Sequence, residues 1–238
     1  MRRPGRGLGI TALVLLMAGF LMLAGGVLAP RLLYRGVLNT GSAMEPGYAQ
    51  GARMLFRKDP DEVRRGDVVL VTVKAWDDGE PLEGLLVKRV VAVGGDTIAY
   101  ERGAPRLTLG GKPLDEPYVK DGAPTAGTSD AFSVSVPRGH VFLLGDNRNA
   151  SLDSRHHAEA SAAGTIPVHD VLGVALTREE TTRTLFVGGS VIIVGALAVL
   201  ASVPLGVAWL VVRRRRPAAP QTPVWGAVTV EPAGPANS

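Results

Sequence analysis

The sequence predicts a mainly β domain held between two membrane-spanning helices. Three observations carry that expectation. Residues 8–29 and residues 185–212 are long apolar stretches without a single charged side chain. The body between them is cut into short runs rich in Val, Leu and Ile, separated by clusters of Gly, Pro and Asp, the punctuation of strands and turns. No stretch of that body repeats apolar residues with the 3.6-residue period of a long helix.

The elements follow in order. Residues 1–7 carry Arg2, Arg3 and Arg6, a basic start. Residues 8–29 would reach about 33 Å as a helix, enough for a bilayer core of about 30 Å. The stretch exceeds the apolar core of a cleaved signal peptide, so a retained anchor is expected. Residues 30–184 form the β-rich body, with strands expected at 53–57, 67–73, 85–93, 97–101, 107–109, 133–136, 140–144 and 171–175. Residues 59–65 are expected to make one turn of helix, and 75–82 and 121–130 exposed loops. Residues 185–212 would reach about 42 Å, so tilt or a kink at Pro204 is expected. Arg213, Arg214, Arg215 and Arg216 follow at once, and 213–238 reads as a basic, then Pro- and Ala-rich disordered tail.

Charge placement sets the expected topology. The chain carries a net charge of +4, but seven of its 26 basic residues lie before the first apolar stretch or after the second. Positive flanks stay cytoplasmic. Two spans in a cell membrane with both termini inside would place the body on the outer face. That body keeps slightly more acidic than basic residues, which excludes a nucleic-acid footprint. There is no cysteine, hence no disulfide, no thiol catalysis and no cysteine-type zinc site. The histidines His140, His156, His157 and His169 show no metal-ligand spacing. No glycine loop for phosphate is present either. Neither metal nor cofactor is expected.

Three stretches carry chemistry. In the strand Leu85–Val93, alternation puts Leu86, Lys88 and Val90 on one face. An ammonium among aliphatic side chains is disfavoured, so its pKa falls and the neutral amine becomes a candidate general base. Thr40-Gly41-Ser42-Ala43-Met44-Glu45-Pro46-Gly47 lies just beyond the first apolar stretch. Its turn residues would present a hydroxyl and backbone N–H groups on a tight loop. Gly139 to Arg155 is a strand running into a loop dense in Asp, Asn, Ser and Arg, which is costly unless those groups bond one another. Asp153 and Arg155 suit a charge-assisted pair, and Ser151 can orient an amine. A serine needs an activating neighbour to attack a carbonyl, and lysine is one accepted partner.

These stretches, in this order behind an anchor, resemble the type I signal peptidases, membrane-bound endopeptidases with a Ser/Lys mechanism. The resemblance covers residues 38 to 176. It rests on Gly66-Asp67-Val68-Val69-Leu70-Val71, on Lys88-Arg89-Val90-Val91 with its Gly-Asp turn, and on Gly145-Asp146-Asn147-Arg148 followed by Ser151-Leu152-Asp153-Ser154-Arg155. It implies a signal-peptidase-like β-rich catalytic domain. It implies Lys88 as general base, Ser151 as the serine that orients it, and Asp153 and Arg155 as a structural ion pair. Gly145, Asp146 and Asn147 would frame the site, and Met44 and Pro46 would meet substrate. The implied partners are secreted preproteins, bound as extended strands, and the lipid bilayer.

The sequence departs from the family at the nucleophile. The family has Ser directly before Met and Thr after Pro; here these positions are Ala43 and Gly47, and the later Gly-Asp is Gly51-Ala52. The nearest hydroxyl, Ser42, is one residue early. Two expectations follow: Ser42 serves as nucleophile on a shifted turn, or the chain is a silent homologue that binds extended peptides or partner proteins.

Overall fold

The computed structural model describes residues 6–58, 62–72, 84–125, 131–159 and 162–215. Two helices, α1 (Arg6–Leu33) and α2 (Arg178–Arg214), enclose eleven strands. The strands are β1 (Tyr34–Leu38), β2 (Arg53–Lys58), β3 (Val68–Thr72), β4 (Leu85–Val93), β5 (Thr97–Tyr100), β6 (Thr108–Leu109), β7 (Lys112–Pro113), β8 (Phe132–Ser135), β9 (His140–Leu144), β10 (Ile166–Pro167) and β11 (Val171–Ala175). The mainly β class stands. The described residues divide into two compact units: 6–21 with 194–215, and 22–193.

Within 22–193, seven strands form one antiparallel sheet in the order β1-β2-β11-β3-β4-β9-β10, and four form a second in the order β7-β6-β5-β8. Strand β3 shows why the large sheet holds. Its Val69 and Val71 pack with Val90, Val141, Leu143, Ile166 and Val171 on one face. Its Val68 and Leu70 pack with Met44, Met54 and Phe56 on the other. Both faces are covered, so the strand reads Val-Val-Leu-Val without alternation. A third cluster joins Ala92, Phe142 and Leu144 to Ile98, Leu107 and Val134 of the smaller sheet. Phe132 of β8 stacks on Phe142 at 5.7 Å.

Strand β4 is the hinge of this arrangement. It pairs with β3 in register, Lys88 opposite Val69. With β9 the register shifts between Val90 and Ala92, a bulge that puts Val91 and Ala92 both towards the third cluster. The following turn needs its glycines. Gly95 has φ +98°, and a Cβ on Gly94 would lie 2.8 Å from the Arg138 backbone.

Several expectations are corrected. Strands β1, β7 and β10 were not expected; two are two-residue ladders, too short to leave a pattern. β8 begins and ends one residue early, and residues 62–65 form no helix. The loop expected at 121–130 begins in a short 3-10 turn, Lys120–Gly122; 126–130, 59–61 and 75–82 lie outside the described residues. Both helices run past the charge-free stretches. Thr177 and Glu180 cap the start of α2 by mutual hydrogen bonds of 3.2 and 2.8 Å. Lys58 of β2 donates to the Arg31 carbonyl at 2.7 Å, at the end of α1. Both helices are long and apolar enough to cross a membrane. In the unit holding their far ends, a Cβ on Gly19 would lie 2.7 Å from Val199 and 2.8 Å from the Gly195 carbonyl, so the helices approach closely through small residues.

Candidate active site

Lys88 projects from β4 between Leu86 and Val90 and is only 4% exposed. Its amine donates to the Ser151 hydroxyl at 2.9 Å, and both groups are buried. Burial pulls the Lys88 pKa below its ordinary value; the Asp153 charge opposes this and the Arg155 charge adds to it. Among the described residues, Ser151 is the sole hydrogen-bond partner of the Lys88 amine.

Ser151 is placed by the loop that follows β9. Gly145 closes that strand, and its N–H donates to Asp153 at 3.1 Å. Asp153 is fully buried and caps the short turn Ser154–His157. It pairs with Arg155 at 2.9 and 3.2 Å. Burial opposes the Asp153 charge, but contacts with His156 and Arg155 outweigh it and hold the carboxyl well below the usual carboxylate range. Gly145 must be glycine for space alone. A Cβ there would collide with the Ser151 side chain and lie 2.7 Å from the Ala43 carbonyl.

The same glycine brings the turn at 40–47 to the site. The Asn147 N–H donates to the Ala43 carbonyl at 2.9 Å, and its side-chain amide donates to the Ser42 carbonyl at 3.2 Å. Ser42 and Ala43 are half-buried. The Ser42 hydroxyl makes no hydrogen bond among the described residues, and the Ala43 and Met44 N–H groups are equally unengaged. The turn therefore carries two N–H groups without a hydrogen-bond partner among the described residues, the kind of donor that can stabilise an oxyanion. Met44 is placed otherwise than expected. It is 1% exposed and belongs to the core under the turn, so it anchors the turn instead of facing substrate. Pro46 is exposed. A Cβ on Gly47 would lie 3.6 Å from Asp146, ordinary contact distance.

Asp146 faces the other side of the loop. Arg89 grips it with two bonds of 2.7 and 2.6 Å, donates to the Gly66 carbonyl at 2.7 Å, and stacks 4.1 Å from the Tyr118 ring centre. Burial raises the Asp146 pKa against the hydrogen bond from Arg89. Neighbours on one strand, Lys88 and Arg89, thus serve the two faces of one loop. Arg148, 1% exposed, donates to the Gly145 and Pro124 carbonyls at 2.9 and 2.6 Å and pairs with Glu116 at 2.6 Å. The sequence motifs contain Arg89 and Arg148 without assigning them a role, and Glu116 was missed from sequence. Alternation next to Lys88 could have flagged Arg89, whereas nothing local links Glu116 to Arg148, 32 positions away. Among the described residues, no group of three or more His, Cys, Asp or Glu is placed to share a metal ion.

Comparison with known proteins follows the same outline. A family model described as signal peptidase, peptidase S26, matches residues 10–178. The signal peptidase I of Mycobacterium tuberculosis (strain ATCC 25618 / H37Rv) is 41% identical over 107 residues, 40% of this chain and 36% of that protein. The signal peptidase I of Bacillus amyloliquefaciens is 32% identical over 157 residues, 58% of this chain and 77% of that protein. A crystal structure of a signal peptidase I from Enterococcus faecalis V583 aligns at a TM-score of 0.36 and 25% identity, covering 49% of this chain and 98% of that one. The chain spans less than two fifths of the length of the mycobacterial relatives it matches.

Proposed function

The chain belongs to the signal peptidase S26 family, and from that membership we propose that it is a membrane-anchored serine endopeptidase that removes signal peptides from secreted preproteins. The observation that carries the reading is the buried Lys88 amine, held by Ser151 at 2.9 Å next to the turn that bears Ser42. Neutral Lys88 takes the proton of the Ser42 hydroxyl, and the oxygen attacks the scissile carbonyl. The Ala43 and Met44 N–H groups receive the negative charge. The resulting Lys88 ammonium protonates the leaving amine, which departs and leaves an acyl-enzyme. Water, deprotonated by the same amine, then releases the mature protein's partner fragment from Ser42. Ser151 orients the base, and the Asp153–Arg155 pair with Gly145, Asp146 and Asn147 holds the loop. Pro46, exposed at the turn, meets the bound segment. Residues 8–29 and 185–212 span the bilayer, and residues 30–184 act on its outer face.

A second reading has its own observations. Ala43 offers no attacking atom, and the Ser42 hydroxyl is not hydrogen-bonded to Lys88. In this reading the domain binds extended peptides without cutting them. Cleavage of a preprotein by the full chain in detergent separates the two, with four forms compared: unmodified, Ser42→Ala, Lys88→Ala and Ala43→Ser. The peptidase reading expects the unmodified chain to cut and both alanine variants to fail. An inert unmodified chain that Ala43→Ser awakens establishes the silent reading instead.

A further inference from the structure

Within residues 22–193, the facing parts of α1 and α2 leave a groove of about 410 Å³. Its floor includes Gly25 of α1 with Val187 and Gly188 of α2, and its rim carries Tyr34, Arg183 and Thr184. The floor lies within the two charge-free stretches, and the rim lies just beyond them. Floor and rim therefore differ in polarity in the same sense as a lipid bilayer.

The floor glycines are not explained by helix contact. A Cβ on Gly26 would lie 2.7 Å from Ile192, so that glycine is needed where the helices touch. A Cβ on Gly25 or Gly188 would meet nothing within 4 Å. Their missing side chains leave open space. At the polar end, Arg183 is exposed and has no carboxylate within ion-pair distance among the described residues. The Tyr34 and Thr184 hydroxyls add two groups that hydrogen-bond phosphate readily.

We propose that this groove binds one anionic phospholipid of the outer leaflet, its acyl chain over Gly25 and Gly188 and its phosphate at Arg183, Tyr34 and Thr184. Complementary charge chooses the occupant. A guanidinium matches phosphate with paired donors, and the apolar floor excludes a free water-soluble phosphate. The site rests on the reading that both helices cross the membrane.

Native mass spectrometry of the full chain in detergent, titrated with phosphatidylglycerol and with phosphatidylcholine, tests it. The unmodified chain should take one phosphatidylglycerol in preference. Arg183→Gln should weaken that lipid by about tenfold, equal to about 1.4 kcal/mol, and bring it level with phosphatidylcholine. Gly188→Leu, which fills open space without a clash, should remove both adducts. Equal binding of the two lipids by the unmodified chain, or adducts that survive Gly188→Leu, would overturn the site. So would displacement by an apolar helical peptide but not by added lipid, which would make the groove a peptide site. Alkaline carbonate extraction keeps the premises apart: a chain extracted from membranes refutes anchoring, whereas a chain retained with adducts indifferent to Gly188 refutes the lipid site alone.

Discussion

Lys88 can serve as base only when neutral, and its surroundings decide at what pH that holds. Burial lowers its pKa from 10.5, Asp153 holds the proton on, and Arg155 drives it off. Cleavage should therefore rise with pH as Lys88 deprotonates, with a midpoint below 10.5. Asp153→Asn removes the charge that retains the proton while the Arg155 charge stays, so the midpoint should move lower still. NMR of Cε-labelled lysine follows the same titration in a form that does not cut, and a midpoint at or above 10.5 would refute the buried-base reading. Asp153 carries a linkage to folding stability. Its folded pKa lies below the ordinary 3.8, so it stabilises the fold fully above that pH and progressively less as pH falls. Unfolding measured from pH 5 downward should show an acid-labile limb that Asp153→Asn flattens, on a lower baseline because Arg155 loses its buried partner. Gly145 makes the steric counterpart. Gly145→Ala should cost about 1–3 kcal/mol of stability, the range for overpacking a core, and should break the Lys88–Ser151 bond; an unchanged melting midpoint would show that the loop relaxes freely.

At the scale of elements, what was legible depended on whether the signal was local. Strands β4 and β9 follow from runs of Val and Leu bounded by Gly; β4 carries Lys88 and β9 pairs with it. β1 was hidden because Tyr34-Arg35-Gly36-Val37-Leu38 has weak alternation; it exists through five register pairs with β2. The loop at 145–155 was legible as a polar cluster that must satisfy itself, and Asp153 and Arg155 pair at 2.9 Å. The sequence could not reveal that Glu116 completes this loop through Arg148, since that contact depends on tertiary approach. Nor could it show that Met44 turns into the core, because the spacing of a turn fixes no face. The helices carry their own test. Gly19→Leu puts a side chain where Val199 and the Gly195 carbonyl already stand. Gly7→Leu enters open space. The first should lower the thermal midpoint in detergent by the equivalent of about 1–3 kcal/mol and the second should not; equal effects would mean that α1 and α2 are held by other contacts.

At the scale of the whole molecule, charge and apolarity divide the chain in a way that fixes its expected orientation. Arginines stand before residues 8–29 and after residues 185–212, while the body between them is near neutral. Translocating either arginine cluster across the bilayer is the costlier alternative, and short positive flanks dominate orientation. On the proposed orientation the site opens on the side where secreted chains emerge, and Lys88 is linked to α1 through β4, β3, β11 and β2 and through Lys58, which donates to the Arg31 carbonyl. Because the chain has no cysteine, single-cysteine labelling reads this orientation without background. Gln50 lies exposed in the β-rich body, and Gly7 and Arg215 are exposed at the helix ends. In intact spheroplasts a membrane-impermeant maleimide should label Gln50→Cys and leave Gly7→Cys and Arg215→Cys untouched until the membrane is opened. Labelling of Arg215→Cys in intact cells would place the arginine cluster outside, and a two-pass chain with its active face towards the secreted side would no longer stand.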